Sequence, residues 1–163
     1  MTLRIERTDA ATTWALRRSV LRPNQVPGTA MHGDDQPDAL HLGAFDDDEL
    51  IGCCVLLPRP YPSRPDEPGA WQVRGMAVVP AAQGRGIGTA VLDAAVVEAR
   101  RRRGTLLWCD ARSSAVGFYG TQGFVTDGDE FRHAESGRPH YRMWRRIDPH
   151  AVANPIRGRF PAG

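Results

Sequence analysis

The sequence predicts a mixed α/β domain, with a central, largely antiparallel sheet of six to seven strands and helices on both faces. Two observations carry this. Period-two strand patterns and helical patterns interleave along the chain, and hairpin signals occupy both ends, where a wholly parallel sheet would need a crossover between every pair of strands. The 163 residues suit one domain and can bury a core without disulfides or metal. The domain is expected to span 1–147, with 148–163 a C-terminal arm or disordered tail.

The elements follow in order. Residues 3–8 (LRIERT) alternate apolar and polar, as a strand does. Residues 9–21 read as a helix capped by Asp9, with Trp14, Leu16, Val20 and Leu21 as its apolar stripe. The Pro, Gly and Asp content of 22–38 predicts a long loop of the kind that lines sites. Residues 39–45 and 50–58 form a hairpin across an acidic turn, and a proline-rich connection covers 59–70. Residues 71–80 are a strand closed by Pro80. A helix from about Gly86 to Arg103 carries the stripe Ile87, Val91, Leu92, Ala95, Val96 and Ala99, with Gly104 as its C-terminal cap. Residues 105–111 are a buried strand. Residues 113–123 are a short helix capped by Ser113 or Ser114 and stopped by Gly123. Residues 124–131 and 140–147 are the last strands.

Composition excludes several classes. The net charge is +2, so overall charge gives no argument for nucleic acid. Lysine is absent, and the run Arg100–Arg103 spreads around a helix as solvated side chains that suit the negative end of the dipole. The three cysteines lie in apolar runs and read as reduced core residues of a cytoplasmic protein. No apolar run approaches the about 18–20 residues that span a membrane, and the N-terminus lacks a signal-peptide layout.

Gly84, Gly86 and Gly88 alternate directly before the long helix. A helix start offers unpaired N–H groups and partial positive charge, and glycine lets main chain approach phosphate closely. Arg85 adds charge and Thr89 a hydroxyl, so the turn reads as a pyrophosphate cradle. A Walker loop is excluded because there is no lysine, and G-x-G-x-G does not match the dinucleotide fingerprint. A tight strand-to-helix turn with no ligand is the alternative.

Residues 76–92 (MAVVPAAQGRGIGTAVL) resemble the coenzyme A signature of the GCN5-related N-acetyltransferases, with Gln83, Gly86 and Gly88 at the motif positions. A second segment, residues 111–124, resembles that family's A-x-x-F-Y-x-x-x-G-F stretch through Ala115, Phe118, Tyr119, Gly123 and Phe124. The resemblance covers roughly residues 70–125. The end of the chain, with Glu130, Phe131, Pro139, His140 and Met143, is similar to small bacterial members of the ElaA and YjcF type.

The resemblance implies an acetyl-CoA-dependent N-acetyltransferase acting by direct attack of a primary amine, with two central strands splayed around the cofactor. Met76, Ala77 and Val78 would give main-chain hydrogen bonds to the pantetheine arm. Gln83 and the N–H groups of Gly84, Arg85, Gly86, Ile87, Gly88 and Thr89 would hold the pyrophosphate, with Phe118 packed beside them. Arg112 stands where many members have Asn, and could reach a phosphate or pin a loop. Tyr119 would protonate the departing thiolate, since a phenol stays protonated at neutral pH. The family arrangement also implies a possible homodimer.

The amine must lose a proton. His140 is the first candidate base and Glu130 the second, with Asp110, Gln72 and Glu67 further polar candidates. No metal is expected, and His32, Asp34 and Asp35 read as an acidic lip suited to a cationic acceptor. The acceptor is expected to be a small molecule or peptide, with no nucleic acid or membrane partner. The competing readings are a non-catalytic acyl-CoA sensor and a nucleotide-binding regulator using the arginine run.

Overall fold

A computed structural model describes residues 2–23 and 36–148. The acidic lip at 32–35 and nearly all of the C-terminal arm therefore lie outside the described residues. Along the chain run β1 (Leu3–Thr8), α1 (Ala10–Leu21), β2 (Leu40–Asp46), β3 (Glu49–Pro58), β4 (Ala70–Val78) and α2 (Ile87–Arg101). β5 (Leu106–Arg112), α3 (Val116–Thr121), β6 (Val125–Thr126), β7 (Phe131–Arg132) and β8 (Pro139–Arg146) follow. They form one eight-stranded sheet in the order β1-β2-β3-β4-β5-β8-β6, with β7 also paired to β8. Among the described strands only β4 and β5 run parallel.

Helices on both faces follow from strand alternation. Cys53 packs with Leu16 of α1, while its neighbour Cys54 packs with Val91 and Leu92 of α2. Adjacent residues on one strand point to opposite sides, so α1 and α2 cover opposite faces. The proline-rich connection covers another part of the sheet by burying Tyr61 against Trp108 and Trp144. All three cysteines are buried and none is in a disulfide. No helix among the described residues is long and apolar enough to cross a membrane.

Several local expectations are corrected. Asp9 does cap α1, accepting from the Thr12 N–H at 2.7 Å. Trp14, however, is 36% exposed, and the buried face of α1 carries Thr13, Leu16 and Arg17 instead. Neither Ser113 nor Ser114 caps α3; Ser113 donates to Glu130. The single strand expected over 124–131 splits in two. Between the pairs Thr126↔Met143 and Phe131↔His140 the chain spends five steps against three on β8. The excess is turned out at Asp127, whose carboxylate accepts from Tyr61 and Ser63 of the proline-rich connection. Of the arginine run, Arg101 and Arg102 pair with Glu98, and Arg100 donates to the Asp148 carbonyl.

The end of α2 differs in an instructive way. The left-handed residue is Arg103 (φ 61°), not Gly104. Arg103 N–H reaches the Arg100 carbonyl at 3.0 Å and Gly104 N–H reaches the Ala99 carbonyl at 2.7 Å, a Schellman closure. Gly104 is needed for space: a Cβ there would stand 2.8 Å from the Ala99 oxygen. An L-residue in the left-handed region costs about 1–2 kcal/mol, which glycine avoids. Arg103→Gly therefore raises stability by about 0.5–1 kcal/mol after the entropy of the unfolded glycine is counted. A thermal melt that stays put or falls would contradict this.

Candidate active site

β4 and β5 are in register over only three pairs, Ala70↔Leu106, Trp71↔Leu107 and Gln72↔Trp108. Beyond them β4 runs on to Val78 and β5 to Arg112, and the strands part. A bulge in the β3–β4 ladder, between Cys53 and Val55, marks the departure. Gly75 sits opposite it with φ 57°, and the Arg17 guanidinium packs where its Cβ would be. The gap opens into a cleft of about 210 Å³. Its walls are Gln72–Met76 from β4 and Asp110–Arg112 from β5. Phe118 and Tyr119 close one side, and His133, Ser136 and His140 come from the β7–β8 hairpin.

The glycine turn lies past the end of β4. Gly84 (φ 76°) and Gly86 (φ 79°) are both left-handed, and Gly86 is the N-cap of α2. Nothing lies within 4 Å of the Cβ position at Gly84, so that side of the turn is open. Gly88 has a different reason to be glycine: a Cβ there would meet the Phe118 ring at 3.3 Å. The turn is thus bare at two positions for backbone conformation, and at the third for close packing of α3 on α2. Gln83 braces it by donating to the Val78 carbonyl at 3.0 Å.

Tyr119 is 6% exposed. Its ring is held edge-on between Phe118 and Phe124, at centroid distances of 5.0 and 5.4 Å. The end of α3 fixes this: Phe124 N–H returns to the Tyr119 carbonyl at 3.1 Å, past Gly123 with φ 87°. Burial, with Cys109 and Cys54 nearby, pushes the phenol well above its ordinary pKa, so the cleft wall carries a neutral O–H.

His140 is 6% exposed, and its Nδ1 lies 2.8 Å from the Arg138 carbonyl. A carbonyl only accepts, so Nδ1 carries a proton, and in the neutral ring Nε2 would be the acceptor. His133 stacks on it with centroids 4.7 Å apart. Burial, then the neighbouring His140, holds His133 below the usual imidazole pKa. The Glu135 N–H donates to its Nδ1 at 3.4 Å.

The profile of the Acetyltransferase (GNAT) family matches residues 9–124, more than half of the chain. The chain belongs to the GNAT acetyltransferase family. It is therefore an acyltransferase of the N-acetyltransferase class. Over 130 residues it is 26% identical to the uncharacterized N-acetyltransferase YitI of Bacillus subtilis, covering 79% of this chain and 87% of that protein. The crystal structure of Escherichia coli ElaA superposes with TM-score 0.69 at 18% identity, covering 88% of this chain and 99% of that one. An aminoglycoside 6'-N-acetyltransferase complexed with coenzyme A gives TM-score 0.72 at 17% identity, covering 91% and 99%. The sheet, parted strands and flanking helices are thus those of the GNAT fold.

Within this GNAT domain the expected site residues divide. Tyr119, Phe118, Met76, Arg112 and His140 all line the cleft. Ala77 is turned away from it. Val79 N–H bonds to Ile51, so by ladder alternation the main-chain groups of Ala77 also face β3, while those of Met76 and Val78 face the gap. Gln83, Gly84, Arg85 and Gly86 form the exposed turn, with Ile87 buried and Gly88 and Thr89 partly so. The Thr89 hydroxyl accepts from Gln122 at 3.2 Å. Arg112 takes the pinning role: its guanidinium donates to the Leu21 carbonyl at the end of α1.

The other polar candidates fare worse. Glu130 is exposed, accepts from Ser113 at 2.8 Å and does not line the cleft. Asp110 does line it but is held by Arg142 through two contacts of 2.9 and 3.2 Å. Gln72 lines it and accepts from Arg59 at 3.3 Å. Glu67 pairs with Arg146 away from the cleft. No group of His, Cys, Asp and Glu among the described residues is placed to hold a metal.

The sequence reading missed Arg22, Arg74, His133 and Glu135. Glu135 bridges Arg22 (2.6 Å) and Arg74 (3.5 Å), tying the β7–β8 turn over the cleft. Burial raises the Glu135 carboxyl pKa, but Arg22 and Arg74 outweigh it and the net shift is downward. A depressed pKa stabilises the fold above the unfolded pKa and is lost as pH falls through the folded one, so this tie loosens on acidification. The one available signal was the two histidines straddling Gly137, which places both on one hairpin.

Proposed function

We propose that the protein transfers the acetyl group of acetyl-CoA to a primary amine by direct attack, with Tyr119 as general acid and His140 as general base. The observation behind this is a cleft that brings a buried neutral phenol and a buried imidazole together between the parted strands, with the bare-amide turn beyond the end of β4. The GNAT relative complexed with coenzyme A lends the same cofactor to this chain. The turn suits it: two left-handed glycines, open space over Gly84 and a helix start together favour an anion.

The residues divide the work as follows. Gly84 to Thr89 hold the diphosphate, and the main-chain groups of Met76 and Val78 align the arm along β4. The Val78 N–H polarises the thioester carbonyl. The amine nitrogen forms a bond to the carbonyl carbon, and the carbon–sulfur bond breaks. One amine proton passes to His140 Nε2, directly or through one water. The phenol proton of Tyr119 passes to the sulfur, leaving amide and free thiol, and solvent returns the tyrosine proton.

The test is a panel of amines, hydroxyl compounds and peptides with acetyl-CoA, read by released thiol. Thiol release with an amine, with N-acetyl product by mass, is expected; turnover only of hydroxyl compounds would overturn the nitrogen assignment. His140→Gln is expected to lower kcat/KM by about 10²-fold. An unchanged kcat/KM would assign the base elsewhere.

A further inference from the structure

The acceptor half of the cleft holds more positive charge than amine transfer requires. Arg22, Arg74 and Arg112 line it, and Arg17 lies buried beneath Gly75. The described carboxylates nearby are already engaged. Asp110 sits in a two-contact pair with Arg142, and the Glu135 carboxylate is shared by Arg22 and Arg74. Arg112 meets the Leu21 carbonyl. An ammonium ion has little to gain from such surroundings, whereas an anion has several donors.

Resting on the acetyl-transfer reading above, we propose that the acceptor amine carries its own anionic group, a carboxylate or a phosphate, held by Arg74 and Arg112. Planar guanidinium groups match such oxygens two at a time. Both are electrostatically stressed without one. Burial lowers the pKa of Arg112, and Arg138 and Arg22 lower it further. Burial is also the largest influence on Arg74, with Arg59 and Arg17 acting in the same direction against the pull of Glu135.

The anion is not the coenzyme's diphosphate. Arg74 precedes Val78 by four residues on β4, about 13 Å at the rise of an extended strand, and the glycine turn lies farther still. Tyr119 and His140 line the same cleft, so an amine on a short anionic molecule reaches both.

The test compares matched ligands by calorimetry at low salt, with and without coenzyme A. The pairs are free α-amino acids against their carboxamides, and 2-aminoethyl phosphate against ethanolamine. At least one anionic member is expected to bind about 10- to 100-fold more tightly than its neutral partner, the worth of one or two charge-assisted hydrogen bonds. The arm that shows the preference identifies carboxylate or phosphate. Arg74→Gln is expected to reduce the preference about tenfold while leaving coenzyme affinity in place. Arg112→Gln serves as the second variant, since Arg112 also ties down α1. Ratios near one in every pair, or a ratio that survives both substitutions, would overturn the proposal. A protein that binds no coenzyme A but keeps the anion preference would instead count against acetyl transfer, so the two failures read differently.

Discussion

Tyr119→Phe is expected to lower kcat by about 10²- to 10³-fold and to leave the dissociation constant of coenzyme A essentially unchanged. The substitution removes one oxygen and keeps the ring, which still packs edge-on against Phe118 and Phe124. The loss falls in the lower part of the range for a general acid because a thiolate, far less basic than an alkoxide, departs tolerably without help. The pH dependence has a fixed sign. Burial raises the phenol pKa, so the acid form persists throughout the neutral and mildly alkaline range. Ionisation of Tyr119 should therefore produce no falling limb in kcat below about pH 10. Single-turnover kinetics and coenzyme titration check both halves. A variant with wild-type turnover would remove the assigned acid, and one that also lost coenzyme affinity would make Tyr119 a packing residue. A sensor without catalysis would show no turnover in either protein.

Gly86→Val is expected to cost both affinity and stability. The residue is left-handed at φ 79° and forms the N-cap of α2, and a β-branched side chain is especially disfavoured there. Holding it in place costs about 1–3 kcal/mol. The alternative is for the turn to relax, which moves the first N–H groups of α2 off the diphosphate. Losing one such charge-assisted bond weakens coenzyme binding by about 10- to 100-fold. Gly120→Ala is the control. Gly120 is helical, exposed and has nothing within 4 Å of its Cβ position, so alanine there raises stability by about 0.5–1 kcal/mol. Coenzyme affinity unchanged in Gly86→Val would break the link between the turn and the diphosphate.

Much of the architecture was legible because it is locally encoded. The α2 stripe from Ile87 to Ala99 is buried in full, since its spacing repeats within a few residues. The same holds for the β2–β3 hairpin and the Asp9 cap. Failures came where a distant partner overrode the local pattern. Trp14 looked like core but sits on the outer side of α1, while Arg17 is buried because Gly75 leaves room for it. Residues 124–131 looked like one strand, but Asp127 is drawn to Tyr61 and Ser63, more than sixty residues away. Glu130 carried the right chemistry for a base, yet the chain direction after Asp127 places it outside the cleft.

The sequence by itself determined the family, the glycine turn and the Phe118–Tyr119 motif, because each is written in consecutive or helically spaced residues. The bare positions, the helix that follows and the Phe118–Tyr119 pair needed no distant partner to be recognised. Only the tertiary structure decided what lines the cleft. Arg22 and Glu135 are 113 residues apart in sequence and 2.6 Å apart in space. Arg74, Arg112, His133 and His140 join them only because β4 and β5 part and the β7–β8 hairpin folds across the opening. No periodicity records such a meeting, since it depends on where whole strands diverge and not on what lies beside any one residue.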